Sequence, residues 1–225
     1  DPTVSFSEYA QANPYYRKYN SAGEIEKYLY YPEDGINDSS VSNPLWNAHL
    51  NNYNKGQEFG FTNNFIIEWF ATHDFRLRAK FGLTKSDDTS DVRLSPLHSQ
   101  FDDVSDTEKG LYTHTQTKGL VYEGDLAATF GRLFADKHMV NAVAGFNFSS
   151  TKRENYGFSA NGFTDDQFDS PSFANSYPNG ESPDYSRTEK RAASFYINGG
   201  YAYDNRYLLD FNYRSDGASM FGTDN

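Results

Sequence analysis

Three sets of side chains carry the chemistry this sequence has to offer. The first is a group of charges in alternating stretches: Glu68, Arg76, Arg78, Lys80, Glu123 and Asp125. Two carboxylates about 5–10 Å apart hydrolyse glycosidic bonds, and Glu68, Glu123 and Asp125 are the only candidates for such a pair. Sequence does not set that distance, and polar residues lining a wall are the competing reading. Arg76, Arg78 and Lys80 form a basic ladder at every second position. Parity lets the ladder face Glu123 and Asp125, as a structural ion-pair network or as a path for a substrate. The second set is acidic. Residues 86–109 hold Asp87, Asp88, Asp91, Asp102, Asp103, Asp106 and Glu108 against Arg93 and Lys109. Oxygen-rich segments bind Ca²⁺, although this one lacks the EF-hand spacing; a solvated loop is the alternative. The third set is aromatic: Trp46, Tyr53, Tyr112, Tyr156, Phe158, Phe163, Phe168, Phe173, Tyr177 and Tyr185. Such rings stack on sugars, on a partner or on one another.

Other chemistries are excluded. There is no cysteine, so disulfides, thiolate metal sites and thiol catalysis are absent. The five histidines are scattered without metal-ligand spacing, and no G-x-S-x-G nucleophile elbow occurs. Lys and Arg total 20 against 31 Asp and Glu, a net charge of −11, which argues against nucleic acid as a partner. No apolar run approaches the ~20 residues of a membrane-spanning helix.

The elements that must position these residues are strands. Hydrophobic residues make up only 37% of the 225, yet aromatics alone reach 17%. Disordered chains lack such rings, and soluble cores use more aliphatic residues. Period-2 alternation predicts strands at about 58–71, 75–85, 118–134, 138–150, 190–203 and 206–214. In the second, Phe75, Leu77, Ala79, Phe81 and Leu83 oppose Arg76, Arg78, Lys80, Gly82 and Thr84. In the last, Tyr207, Leu209, Phe211 and Tyr213 oppose Arg206, Asp210, Asn212 and Arg214. A β-sandwich alternates in the same way. Connection lengths separate the two folds better. Residues 72–74, 135–137 and 204–205 are tight turns, whereas 32–56, 86–117 and 151–189 are long and polar. Strict alternation of short and long, on strands well above the usual ~5–6 residues, is the pattern of an antiparallel up-and-down transmembrane β-barrel. The earlier part of the chain is less regular: residues 6–12 fit a helical turn and 24–31 a further strand.

Particular motifs then point to a family. Asp204-Asn205-Arg206-Tyr207-Leu208-Leu209, followed by Arg214-Ser215-Asp216-Gly217-Ala218-Ser219-Met220-Phe221-Gly222, resembles the strand-and-loop signature of SusC/RagA TonB-dependent outer-membrane transporters, with Ala218 where serine is more usual. Tyr9-Ala10-Gln11-Ala12-Asn13-Pro14-Tyr15-Tyr16, and Asn43-Pro44-Leu45 followed by Asn63-Asn64-Phe65, are similar to other segments of that family. The resemblance implies a plugged barrel of ~22 strands, of which about six or seven are here, so the chain is expected to be a fragment of a larger transporter. It implies an outer-membrane location and TonB-driven import of an oligosaccharide or peptide. It also implies a SusD-like surface lipoprotein as lid, and TonB contact through a plug segment outside these residues. The remaining barrel strands and the lipid membrane would be further partners, and no covalent chemistry is expected. A soluble or surface β-sandwich that binds glycans is the alternative, and a glycoside hydrolase on a β scaffold the third.

Overall fold

A computed structural model describes residues 15–30 and 41–219. The helical turn expected at 6–12, the Tyr9–Pro14 part of the second motif and Met220 to Gly222 of the first fall outside the described residues. In the first part of the chain, β1 (Tyr28–Tyr30) pairs antiparallel with β2 (Val41–Ser42), and a short helix α1 (Pro44–His49) follows. The main body is six strands: β3 (Tyr53–Phe70), β4 (Phe75–Leu94), β5 (Leu111–Phe134), β6 (His138–Asn161), β7 (Asp184–Tyr203) and β8 (Tyr207–Ala218). They hydrogen-bond in chain order, β3-β4-β5-β6-β7-β8, an antiparallel meander. In the last hairpin the register runs from Ala192↔Ala218 to Tyr203↔Tyr207.

Two of the tight turns have backbones that dictate the hairpin. Ala135 and Asp136 have φ of 48° and 56°, and Asp204 and Asn205 have 50° and 53°. Positive φ at both central residues is the type I′ signature, whose twist matches the flanking strands. Arg206 N donates to Tyr203 O at 2.9 Å and Lys137 N to Phe134 O at 3.2 Å, closing both hairpins.

The strands exceed the expected bounds. β5 and β6 each have 24 residues, about 80 Å of extended chain. The segments 86–117 and 151–189 are therefore not loops throughout. Asp87, Asp88 and Asp91 stand on β4, Tyr112 on β5 and Tyr156 on β6, and irregular chain is confined to 95–110 and 162–183. The cause is visible in the sequence: residues 86–94 and 111–117 are polar on both faces, so alternation of hydrophobicity disappears while the backbone ladder continues. Likewise 32–56 contains β2 and α1 and ends in β3, the strand expected at 24–31 shrinks to β1, and the Arg214–Ala218 motif completes β8 instead of forming a loop.

The residues group into two compact units. One comprises residues 58–87, 117–154 and 186–225, the other 1–57, 88–116 and 155–185. In the first, the sheet is a single layer. Phe81, Leu126, Phe146 and Phe195 sit on inner strands, on the apolar face, and remain 46%, 46%, 44% and 42% exposed. A sandwich would bury such rings against a second sheet. No described residue of this unit covers them. The second unit carries a conventional small core, with Leu29, Leu50, Tyr112, Ala160 and Phe163 buried.

Candidate functional site

The polar face of the six-stranded sheet gathers most of the charged candidates. Arg78 Nε lies 3.3 Å from Glu68 Oε1 on the neighbouring strand, so this rung of the basic ladder is tied to β3. That corrects the expectation that Arg78 faces Glu123 or Asp125. Lys80, Glu123 and Asp125 instead line one open groove of about 660 Å³ with Asn64 and Asn147. Lys80 and Glu123 are exposed in it. Further along the face, the Tyr196 hydroxyl donates a hydrogen bond to Asp125, and Arg214 reaches Ser194 Oγ at 3.3 Å and Asp216 at 2.9 Å. Arg76 is half-buried on the same strand. The arrangement is a wall of mixed charge with donors and acceptors directed away from the apolar face. It presents polar groups to whatever lies on that side, and among the described residues it shows no base-oriented nucleophile.

The second unit is built around Arg93, which is fully buried. Its guanidinium donates to the carbonyls of Asn51, Asp166 (2.9 Å) and Phe168 (3.1 Å), and lies 3.8 Å from the Asp166 carboxylate. That carboxylate also accepts from Asn51 N at 3.2 Å. One side chain of β4 thus fastens the start of β3 to the 162–183 segment. A buried arginine is tolerable only when its fork is met by acceptors like these. In the sequence Arg93 is one base among acids; nothing in the local pattern marks it, because its partners are carbonyls 42 to 75 residues away. Asn43, also buried, caps α1 by accepting from Leu45 N, with Pro44 in the first turn, and its amide donates to the carbonyls of Lys18 and Glu26. The Asn43-Pro44 pair is therefore a helix start.

The aromatic candidates divide. Phe163 is 1% exposed, packed beneath Gly110, whose φ is +78°. A β-carbon at Gly110 would stand 3.1 Å from the Phe163 ring. Tyr112 is buried as well and donates to Asp91 at 2.6 Å. These two are core residues and do not offer free faces, contrary to expectation. Trp46 is half-buried, its indole N–H given to Leu97 O at 3.0 Å. Tyr156 remains 42% exposed, in a row with Phe158 and His114. Phe168 and Phe173 stack at 4.8 Å.

Among the acids, Asp91 accepts from Tyr112 and meets His114 Nδ1 at 2.7 Å. Burial pushes its carboxyl up, but the hydrogen bonds from His114 and Tyr112, with the charges of His114 and Lys55, outweigh that and hold it below the usual range. Burial and the Asp91 hydrogen bond push the Tyr112 phenol up. Asp102 pairs with Lys27, Asp88 and Asp103 are exposed, and Asp87 is half-buried on β4. Among the described residues no three His, Asp or Glu side chains converge on one point, so the calcium expectation for Asp87, Asp88, Asp91, Asp102 and Asp103 gains no cage from the geometry.

Comparison with known proteins supplies the context. No family model matches the chain. It is 25% identical over 248 residues to TonB-dependent receptor P26 of Formosa agariphila, a match that covers 99% of this chain and 23% of that protein. Among solved structures, that of the RagAB peptide transporter superposes with a TM-score of 0.70 at 17% identity, over 93% of this chain and 22% of that one. The RagAB peptide importer in its open-open state gives 0.71 at 18% identity, over 94% and 22%. The chain thus spans under a quarter of the length of the proteins it matches. The resemblance read from the sequence agrees with the first match, and the all-β barrel-wall fold with the solved structures: the chain is similar to a stretch of the wall of such transporters.

Proposed function

We propose that this stretch of wall works in the outer membrane of a Gram-negative bacterium of the Bacteroidota type, importing a large nutrient by TonB-dependent transport. One observation carries the reading. A single-layer meander leaves its aromatic and aliphatic face uncovered on inner strands, which only a hydrocarbon surrounding tolerates over so large an area. On β5 the apolar stretch of that face runs from Leu120 to Phe130. Those 11 residues at a ~45° tilt rise about 25 Å, the height of a barrel's lipid-facing band.

On this reading the opposite face, with Glu68, Arg76, Arg78, Lys80, Glu123 and Asp125, lines the interior against a plug and a passing substrate. The free edges of β3 and β8 are completed by the remaining strands of the same barrel, since open edges do not occur in lipid. A SusD-like surface lipoprotein covers the mouth, and TonB acts through the plug. The cargo is an oligosaccharide or a peptide; that the RagAB structures are described as those of a peptide transporter supports the second without selecting it. No enzymatic step is assigned.

Extraction tests the reading. The full-length protein is expected to stay in the membrane fraction under salt and alkali and to leave it only with detergent. Release into plain buffer would sink it and favour a soluble sandwich. Growth of a deletion strain on defined oligosaccharides and on defined peptides then separates the two cargoes.

A further inference from the structure

The apolar face does not simply fade into polar residues at the end away from the tight turns. On β4, Phe81 and Leu83 are followed by Lys85 and Asp87; on β5, Leu120 is preceded by Lys118. On β6, Phe146 and Phe148 lead to Ser150, Lys152 and Glu154; on β7, Arg187, Glu189 and Arg191 precede Ala193 and Phe195. All share the parity of the apolar face. Contacts across strands confirm the level: Arg187 reaches Glu154 at 3.9 Å, and Lys118 and Arg187 both act on that carboxylate. Five cations (Lys85, Lys118, Lys152, Arg187, Arg191) thus meet three carboxylates (Asp87, Glu154, Glu189) on four adjacent strands. The belt is net positive by two in a chain whose total is −11.

We propose that this belt docks the phosphate-bearing headgroup of a lipid in the surrounding leaflet. The inference rests on the barrel reading above. Glu154 holds Lys152 at 2.8 Å, and Glu189 holds Arg187 at 3.3 Å and also Arg191, so three of the cations have fixed heads. Lys85 and Lys118 form no ion pair among the described residues, and with Lys152 they line a groove of about 400 Å³ whose wall also holds Asp87 and Glu154, three cations against two carboxylates. Two ammonium groups free of a direct ion pair, on one rim, suit an anion of multiple charge.

Beside it lies a second, largely apolar groove of about 410 Å³, lined by Tyr122, Phe148, Ala193 and Gly217, with Arg191 and Ser150 at its polar end. Ser150 is 3% exposed, and its buried hydroxyl has no hydrogen-bond partner among the described residues. Such a group is costly unless an oxygen or nitrogen meets it. A cationic rim, an unanswered hydroxyl and a slot for hydrocarbon follow one another along a single face. That sequence is the order of a lipid's own parts, and long basic side chains reach such headgroups from the edge of the apolar band. A protein partner would not need the apolar slot to continue into the lipid band.

The test uses the full-length transporter in nanodiscs, with fluorescent diphosphoryl lipid A as probe and its dephosphorylated form beside it. Wild type is expected to enrich the phosphorylated probe, and K85Q/K118Q to lose that enrichment by about fivefold per lysine. The matched variant K137Q/R206Q, at the tight-turn end, should bind as wild type. Should the double variant fail to insert, K118Q alone should show about a fivefold loss. Equal binding of both probes by wild type, undiminished binding by K85Q/K118Q, or full displacement by millimolar inorganic phosphate would each overturn the proposal. A protein that needs no detergent overturns the barrel reading instead, and the two failures are thereby distinguishable.

Discussion

The ring of Tyr196 on β7 lies over Gly145 on β6, so close that a β-carbon at Gly145 would sit 2.2 Å from the ring carbon bearing the hydroxyl and 2.3 Å from the hydroxyl oxygen. The missing side chain lets the phenol cross an entire strand and donate to Asp125 on β5. Three strands of the polar face are linked by one side chain over one glycine.

Gly145→Ala should therefore displace Tyr196 and cost about 1–3 kcal/mol, the usual penalty for overpacking. The check is heat-modifiability of the full-length protein in detergent, read as the temperature at which its folded gel band is lost. Tyr196→Ser should cost less, and the double variant G145A/Y196S should be no worse than Y196S alone, because the clash has gone. Strictly additive losses would mean that the two residues do not meet.

At the tight turns the sequence leaves stability unused. Ala135 has φ of 48°, a left-handed conformation that costs an L-residue with a β-carbon roughly 1–2 kcal/mol. Its hairpin counterpart at this position is Asp204, a residue type that tolerates the region better. Ala135→Gly is expected to raise the melting temperature, by up to about 1 kcal/mol of stability after the added freedom of the unfolded chain is subtracted. A lowered melting temperature would show that the turn does not hold this backbone in detergent.

Arg93 predicts a larger effect. Replacing it by Met leaves the carbonyls of Asn51, Asp166 and Phe168 without their donor, and should cost about 3–5 kcal/mol locally, as loss of one partner from a buried charged network does. The loss should appear as protease cleavage within 162–183 while the strands stay intact. Arg93→Lys should rescue only in part, since a single ammonium cannot reproduce the planar fork. Unchanged protease resistance in the Met variant would show that the segment is held by something else.

How much of this was legible beforehand differs by region. Phe75 to Leu83 and Tyr207 to Tyr213 announced their strands because one face is apolar, and the turns at 72–74, 135–137 and 204–205 because only a few residues separate such strands there. The extensions of β4 to β6 were hidden: Thr84 to Val92 and Leu111 to Lys118 have polar side chains on most positions of both faces, and the ladder that continues them is a backbone property. Tyr112 and Phe163 looked like free loop aromatics because burial there depends on Asp91 and Gly110, partners that pattern alone does not assign. Arg78 was placed correctly by parity on the polar face, yet its rung partner Glu68 follows from the β3–β4 register, which periodicity does not set. Lys85 and Lys118 stand at the ends of the expected strands 75–85 and 118–134, but that they share one groove follows from the pairing of β4 with β5, which periodicity does not set.

Acid should loosen the Tyr112–Asp91–His114 corner before the sheet. Asp91 has a carboxyl held below its ordinary value in the folded chain, so its contribution is complete above the unfolded carboxylate value of about 3.9. The contribution declines as pH falls through the folded one. Below that, Asp91 is protonated, and both the Tyr112 donation at 2.6 Å and the His114 contact at 2.7 Å lose the charge that strengthens them. Hydrogen exchange of peptides covering 89–93, 111–115 and 156–160 should therefore accelerate as the pH falls below about 4, while peptides from 193–203 keep their protection. Asp91→Asn removes the titrating group: exchange at this corner should already be faster at pH 7, and its acid step should vanish. An acid step that persists unchanged in Asp91→Asn would assign the sensitivity to some other carboxylate.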